Sequence, residues 1–224
     1  MTENSIPKVL SNEVPVHELY FYQKTEVVYA LTYHFVKRFL PLSGDRTVDQ
    51  MIQAARSGKQ NIIEGLADGI TSTEMQLKLL NVARASLKEL RADYDDYLRT
   101  RHLEHWQGNH PRYDELLRFC RTHNRVSDYE PLFAKMGAEE LCNTALTLLH
   151  MTDKMMMTFL KGLEQQFVEH GGIKERMHAA RTGYRRQEME ELQRLREENR
   201  ALRQHLSALE KKMKDLLEEK RQIQ

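Results

Sequence analysis

The end of the chain carries a heptad repeat of leucines, which constrains the fold more than any other feature of the sequence. Leu195, Leu202, Leu209, Leu216 and Ile223 follow one another at seven-residue intervals and take the d position, while the a position holds Leu192, Asn199, Leu206, Met213 and Lys220. Apolar residues that recur every 3.5 positions form the seam of a coiled coil. The spacing predicts a leucine-zipper-like coiled coil over residues 189–224.

The charges beside this seam indicate how two copies would pair. Glu191 and Glu198 occupy g positions, from which they reach e-position arginines of a parallel partner. A single Asn at an a position, here Asn199, favours two strands in one register. We therefore predict self-association through the seam residues Leu192, Leu195, Asn199, Leu202, Leu206, Leu209, Met213, Leu216 and Ile223.

The residues before the repeat are those of a helical protein. The chain has 5 prolines in 224 residues, and Leu, Met, Ala, Glu, Lys, Arg and Gln dominate its long uninterrupted stretches. We predict an all-α fold: an antiparallel up-down four-helix bundle over 16–170, a basic helical segment over 171–188, and the coiled coil. Residues 1–15 form a lead-in that we expect to be disordered. The third helix is expected to reach Trp106, with Met75 and Val82 facing inward, and Pro131 is expected in a loop.

The overall charge excludes some classes of protein. Lys and Arg number 34 and Asp and Glu 33, so the formal net charge is +1, and a histone-like polycation is excluded. Only Cys120 and Cys142 occur, which excludes a disulfide framework and fits a reducing compartment. The N-terminus has no apolar signal-peptide core, and no stretch approaches the roughly 20 apolar residues of a membrane span. We expect a cytoplasmic protein without a membrane partner.

A nucleic-acid site must therefore be a local patch, and residues 171–188 provide the best candidate. This window holds five Lys and Arg against two acids. On a helix, Lys174, His178, Arg181 and Arg185 share one face, with Arg176 and Arg186 close to it. We predict that these six residues bind nucleic acid. The alternative is a solvated helix face that leads into the zipper.

Two further segments resemble a known family. Asn61-Ile62-Ile63-Glu64-Gly65 and Arg84-Ala85-Ser86-Leu87-Lys88-Glu89-Leu90 are similar to signatures of the bacterial four-helix-bundle proteins encoded in intervening sequences of ribosomal RNA genes. That family includes the accessory variability determinant of diversity-generating retroelements. Ala85 stands where the family usually has Gly. Residues 163–186 resemble the four-helix-bundle suffix segment that follows such bundles.

The resemblance implies a homo-oligomer, often a pentamer, whose basic surfaces meet nucleic acid or a reverse transcriptase. It implies no catalytic residues. The zipper is not part of the common family pattern, and its dimer-favouring Asn199 conflicts with a simple pentamer.

The polar residues of these motifs, Asn61, Glu64, Arg84 and Glu89, allow two interpretations. They form either a ligand site or a polar network that fixes the second and third helices together, and we expect the network. We expect neither a metal nor another cofactor. The histidines and the cysteine at positions 102, 105, 110, 120 and 123 match no zinc spacing, and the only Glu-x-x-His, Glu175 to His178, lies outside the bundle.

Two functions follow from these observations. The first is a non-enzymatic, homo-oligomeric accessory protein that binds nucleic acid, with RNA favoured, and that works with a reverse transcriptase or ribonucleoprotein. The alternative is an oligomeric scaffold that recruits a protein partner through the coiled coil without touching nucleic acid.

Overall fold

The computed structural model describes residues 15–41 and 46–222, with side chains described except at positions 170, 210 and 214–222. Every element within these ranges is helical, which confirms the all-α class. A 3₁₀ turn at Val16–Glu18 precedes the α-helices, which are α1 (Tyr20–Phe39), α2 (Arg46–Asp68), α3 (Thr73–Thr100), α4 (Tyr113–Thr122), α5 (Val126–Phe133), α6 (Ala138–His170) and α7 (Ile173–Gln222). The described residues divide into two units, one ending at Ile173 and one beginning at Lys174.

In the first unit, α1, α2, α3 and α6 pack around one hydrophobic core and are called the bundle below. Helix α2 packs against α1 and α3, and α6 packs against the same two helices, while α5 lies on α1 and α4 on α6. Aromatic rings join the first and third helices: the Phe35 ring lies 5.1 Å from that of Tyr94 and 4.8 Å from that of Tyr97. The buried Tyr94 hydroxyl donates a hydrogen bond to Thr32 Oγ1 at 3.0 Å.

Glycines set the distance between α2 and α3. A Cβ atom on Gly58 would lie 2.5 Å from Leu87 Cδ2, and one on Gly65 would lie 3.2 Å from the Cβ of Leu79. The positions on α2 rise as their partners on α3 fall, so the two helices run antiparallel. The Ser72 side chain begins α3 by accepting the Met75 N–H at 3.2 Å, as expected of a Ser N-cap.

The inward face of α3 differs from the prediction in its first turns. Met75 and Val82 are each 42% exposed, whereas the neighbouring Gln76, Leu80 and Ala83 are buried. The reason is steric, because Gly65 on α2 and Gly69 in the turn after it leave space that the side chains of Leu80 and Gln76 fill. The two predicted inward positions, Met75 and Val82, are therefore each one residue before a buried position, Gln76 and Ala83.

The third helix is also shorter than predicted, because it ends at Thr100 rather than at Trp106. His102 adopts the left-handed conformation with φ 55°, which a non-glycine residue seldom takes. The chain then turns back so that Trp106 is buried. Its backbone N–H donates to Asn143 Oδ1 at 2.7 Å, and its indole Nε1 donates to Glu139 Oε1 at 2.9 Å.

Pro131 lies inside α5 and not in the predicted loop. The Asp128 carboxylate accepts the backbone N–H of Arg125 at 3.0 Å and of Asn124 at 3.2 Å, which caps the first turn. Proline removes a single hydrogen bond from the second turn of so short a helix. The capped first turn therefore accounts for a helix that tolerates this proline.

Candidate nucleic-acid interface and oligomer seam

Helix α7 is unbroken from Ile173 to Gln222 and covers both the predicted basic segment and most of the predicted zipper. The seam side chains lie on its surface: Leu192, Leu195, Leu202, Leu206, Leu209 and Met213 are between 44% and 59% exposed. Asn199 is exposed, and its Nδ2 donates to the Leu195 carbonyl at 3.3 Å. The side chain of Leu216 and the whole of Ile223 lie outside the described residues. A single chain thus leaves the described part of the seam uncovered.

The predicted basic residues lie on the N-terminal part of the same helix. Lys174, His178, Arg181 and Arg185 are exposed, and none of them forms an ion pair with a described residue. Arg186 is exposed but pairs with Glu190, with Nε 3.0 Å from the carboxylate oxygen. Arg176 is half-buried and has an interaction of its own. Four of the six predicted residues are therefore available to an incoming anion, and we call these four the basic stripe.

The four polar residues of the bundle motifs do not form one network. Asn61 donates to the Ser57 carbonyl at 2.9 Å, and the Ser57 hydroxyl lies 3.0 Å from that of Ser86. Arg84 turns away from α2 and pairs with Asp153 on α6. Glu64 and Glu89 are exposed, and the Glu64 carboxylate accepts a hydrogen bond from Gln60 on its own helix at 3.1 Å. Among the described side chains, the serine pair joins α2 to α3, and Asn61 Nδ2 donates to the Ser57 hydroxyl at 3.1 Å, so of the four predicted residues only Asn61 adjoins this contact.

The first unit also holds a groove that was not predicted from the sequence. It encloses about 610 Å³ between α1, α4 and α6, and its lining includes Lys24, Arg121 and Lys154 but no acidic residue among those described. Lys24 is 3% exposed, and its Nζ donates to the Cys120 carbonyl and to the His123 carbonyl at 3.4 Å. Burial lowers the pKa of Lys24. In the sequence, Lys24 stands between the apolar residues Phe21 and Val28 at helical spacing, which indicates burial of the lysine but not the carbonyls that it reaches.

His110, His105 and the two cysteines each have contacts of their own within the first unit. The His110 ring stacks on Trp106 at 4.8 Å, and His105 Nδ1 lies 3.2 Å from an Asp95 carboxylate oxygen. Both thiols are buried, and desolvation raises the pKa of Cys120 to about 11 and that of Cys142 further still. Among the described residues, no three His, Cys, Asp or Glu side chains are grouped so that they could hold a metal ion.

Among the described helices, none has both the length and the apolar character needed to cross a bilayer.

Comparisons with known proteins leave the family resemblance as an expectation based on its motifs alone. No protein-family model, no curated protein and no solved structure matches this chain.

Proposed function

We propose that this protein is a non-enzymatic homo-oligomer that binds nucleic acid. The observation that carries the proposal is the surface of α7, where one continuous helix presents an uncovered apolar seam and, before it, the basic stripe. The seam provides for association of copies, and the stripe provides positive charge for phosphate. Because the net charge of the chain is only +1, binding depends on this concentration of charge in one segment.

Association through α7 is supported by the charges beside the seam. In a parallel pair, Glu191 and Glu198 at g positions face Arg196 and Arg203 at e positions of the second chain. Leucines that are about half exposed in one chain would be covered by the other, which removes apolar surface from water. The Asn199 side-chain amide would hydrogen-bond to Asn199 of the second chain instead of to the Leu195 carbonyl of its own helix.

The bundle has a second surface suited to association. Met75 and Val82 are exposed on the outer face of α3, and the half-buried Leu79 lies between them at helical spacing. Such an apolar strip accords with the family expectation that the bundles themselves assemble. Deletion of residues 189–224 is expected to leave a folded bundle that still associates. A monodisperse monomer from that truncation would contradict this part of the proposal.

The family resemblance favours RNA as the ligand and a reverse transcriptase or ribonucleoprotein as the setting, and both remain parts of the proposal. Lys and Arg bind phosphate oxygens irrespective of sequence and release counterions as they do so. Two free cysteines accord with a proposed cytoplasmic location. Binding and assembly are the whole of the proposed activity.

The test is binding of nucleic acid by the full chain. The absorbance ratio at 260 and 280 nm of the purified protein reports co-purified nucleic acid, and titration of a generic RNA then gives the affinity at several salt concentrations. Replacing Lys174, Arg181 and Arg185 with Gln preserves helix propensity and is expected to lower both the affinity and the salt dependence. An unchanged affinity and salt slope would show that the stripe is only a solvated face.

The second candidate function is a scaffold that recruits a protein through α7. The uncovered seam and the near-zero net charge favour it. The same titration, repeated with a generic DNA, separates the two candidates, because a scaffold associates normally while it binds neither RNA nor DNA at low salt.

A further inference from the structure

The basic stripe and the zipper seam occupy the same heptad positions. Counting the repeat backwards from Leu192 places Arg185 and His178 at a, and Arg181 and Lys174 at d. Because α7 has no break between Ile173 and Gln222, this register continues through the helix without a shift. The basic residues are therefore the N-terminal continuation of the face that pairs two chains, and not a patch on its outer side.

This register makes the N-terminal part of α7 unable to continue the zipper. In a parallel pair, Lys174, Arg181 and Arg185 would each lie opposite the same cation of the other chain, and His178 would lie opposite the second His178. Glu188 at d can offset the charge of Arg185 across the seam, but no acid occupies an a or d position from Lys174 to Arg185. The apolar seam thus ends at Leu192, and the two helices separate before it unless an anion lies between them.

We infer that the two basic segments of a paired α7 form the arms of a clamp that holds double-stranded DNA. This inference rests on the proposed function, which is nucleic-acid binding by an oligomer, and it assigns double-stranded DNA as the ligand in place of the RNA that the family resemblance favours. Between the arms, DNA phosphates would neutralise Lys174, Arg181 and Arg185, which form no ion pair with a described residue of the chain. The arms continue directly from the seam, so the clamp requires two copies, and a single chain holds only half of it.

The shape of the arms favours a B-form duplex over RNA. The stripe from Lys174 to Arg185 is about 16 Å long at 1.5 Å per residue, which matches about five base pairs at 3.4 Å each. An α-helix enters the major groove of B-DNA, which is about 12 Å wide. The major groove of A-form RNA is too narrow and deep for side chains to read. Single strands lack the paired backbones that two symmetric arms would grip.

The first experiment measures the affinity of the full chain for three probes of one mixed sequence about 20 nucleotides long. The probes are a DNA duplex, an RNA duplex and a DNA single strand. The DNA duplex is expected to bind most tightly. Replacing Lys174, Arg181 and Arg185 with Gln should weaken duplex binding roughly tenfold or more at low salt and lower the salt slope by about 0.9 for each phosphate that is no longer neutralised. The matched control is a variant in which three basic residues outside the seam, Arg194, Arg200 and Lys211, are replaced with Gln. It should bind the DNA duplex as the parent does.

The second experiment tests the heptad register of the basic stripe without changing any charge. Two alanines inserted after Gln187 rotate the basic stripe by about 200° relative to the seam, while an insertion of seven residues returns it to the same face. The two-residue insertion should lose duplex affinity, and the seven-residue insertion should bind more tightly than it. Light scattering confirms that each variant keeps the oligomeric state of the parent.

The outcomes separate the clamp from the function on which it rests. If the parent binds no nucleic acid of any form, the proposed function fails and the clamp fails with it. If RNA or single-stranded DNA binds as tightly as the DNA duplex, or if the two-residue insertion binds duplex unchanged, the clamp alone is wrong.

Discussion

Arg84 on α3 and Asp153 on α6 form an ion pair in which Nε and Nη2 of the arginine each lie 2.9 Å from Oδ1 of the aspartate. The side chains are 15% and 28% exposed, so the pair is partly shielded from water. It joins the third helix of the bundle to the last one, although the motif that contains Arg84 predicted a contact with α2.

Replacing Arg84 with Gln is expected to lower the free energy of unfolding by about 1–2 kcal/mol, because it leaves the Asp153 carboxylate without its charged donor. Urea denaturation at fixed chain concentration measures the change. Arg91 provides the control, since it pairs with Asp95 at 4.0 Å on the exposed side of the same helix. Arg91→Gln should cost no more than about 0.5 kcal/mol, and an equal loss in both variants would contradict the role given to the Asp153 pair.

Gly58 and Gly162 are expected to respond in opposite directions to alanine. A Cβ on Gly58 would lie 2.5 Å from Leu87 Cδ2 and 2.7 Å from its Cγ, so Gly58→Ala must displace a buried leucine and should cost about 1–3 kcal/mol. No described atom comes within 4 Å of a Cβ on Gly162, in the interior of α6. Gly162→Ala should stabilise the protein by about 0.5–1 kcal/mol through helix propensity. Thermal melts of the two variants check both signs.

Much of the bundle was predictable because it depends on local periodicity. The dominance of strong helix formers predicts the all-α class, and every element among the described residues is helical. The end of α3 was not predictable, because it depends on bonds from Trp106 to Glu139 and Asn143, more than 30 residues away. The helix around Pro131 was missed because proline was treated as a loop signal without regard to the cap at Asp128.

The candidate interface was likewise predictable only where it depends on local spacing. The basic stripe and the seam are periodic features of one helix, so spacing alone indicates them. The groove around Lys24 was not predicted, because it exists only where the C-terminal carbonyls of α4 meet α1. No local pattern shows which helix end a buried lysine will reach.

The two cysteines should be unreactive in the folded protein at pH 8. Burial raises the pKa of both thiols, to about 11 for Cys120, so neither forms the reactive thiolate at that pH. An aromatic disulfide reagent is expected to modify both cysteines only after denaturant is added. Rapid modification of either thiol in the native protein would contradict the burial of Cys120 or Cys142.

The same shifts predict that stability falls at alkaline pH. Above the ordinary thiol pKa of 9.0, the unfolded chain loses protons that the folded chain retains, so the free energy of unfolding decreases as pH rises toward 11. Cys120 alone should account for about 2 kcal/mol by pH 11. The variant Cys120→Ala, although less stable at pH 7, should lose less stability between pH 9 and pH 11 than the parent does.

Asn199 is expected to set the number and register of the paired α7 helices. Asn199→Val replaces a polar a residue with an apolar one, which should raise the melting temperature of the full chain and broaden its range of oligomeric states. Sedimentation velocity measures that range, and Ala201→Val, which introduces the same side chain outside the seam, is the control. A variant that is no more stable and keeps a single oligomeric state would show that Asn199 does not fix the pairing.

The uncovered seam of α7 is proposed to join copies of this chain, and the molar mass of the full chain in solution decides whether it does. Multi-angle light scattering of the 26.5 kDa chain should give an integral multiple of that mass, at least twice its value. Replacing Leu195, Leu202 and Leu209 with Ser should then lower the mass or weaken the association. A full-length protein that remains a 26.5 kDa monomer at micromolar concentration would contradict the account.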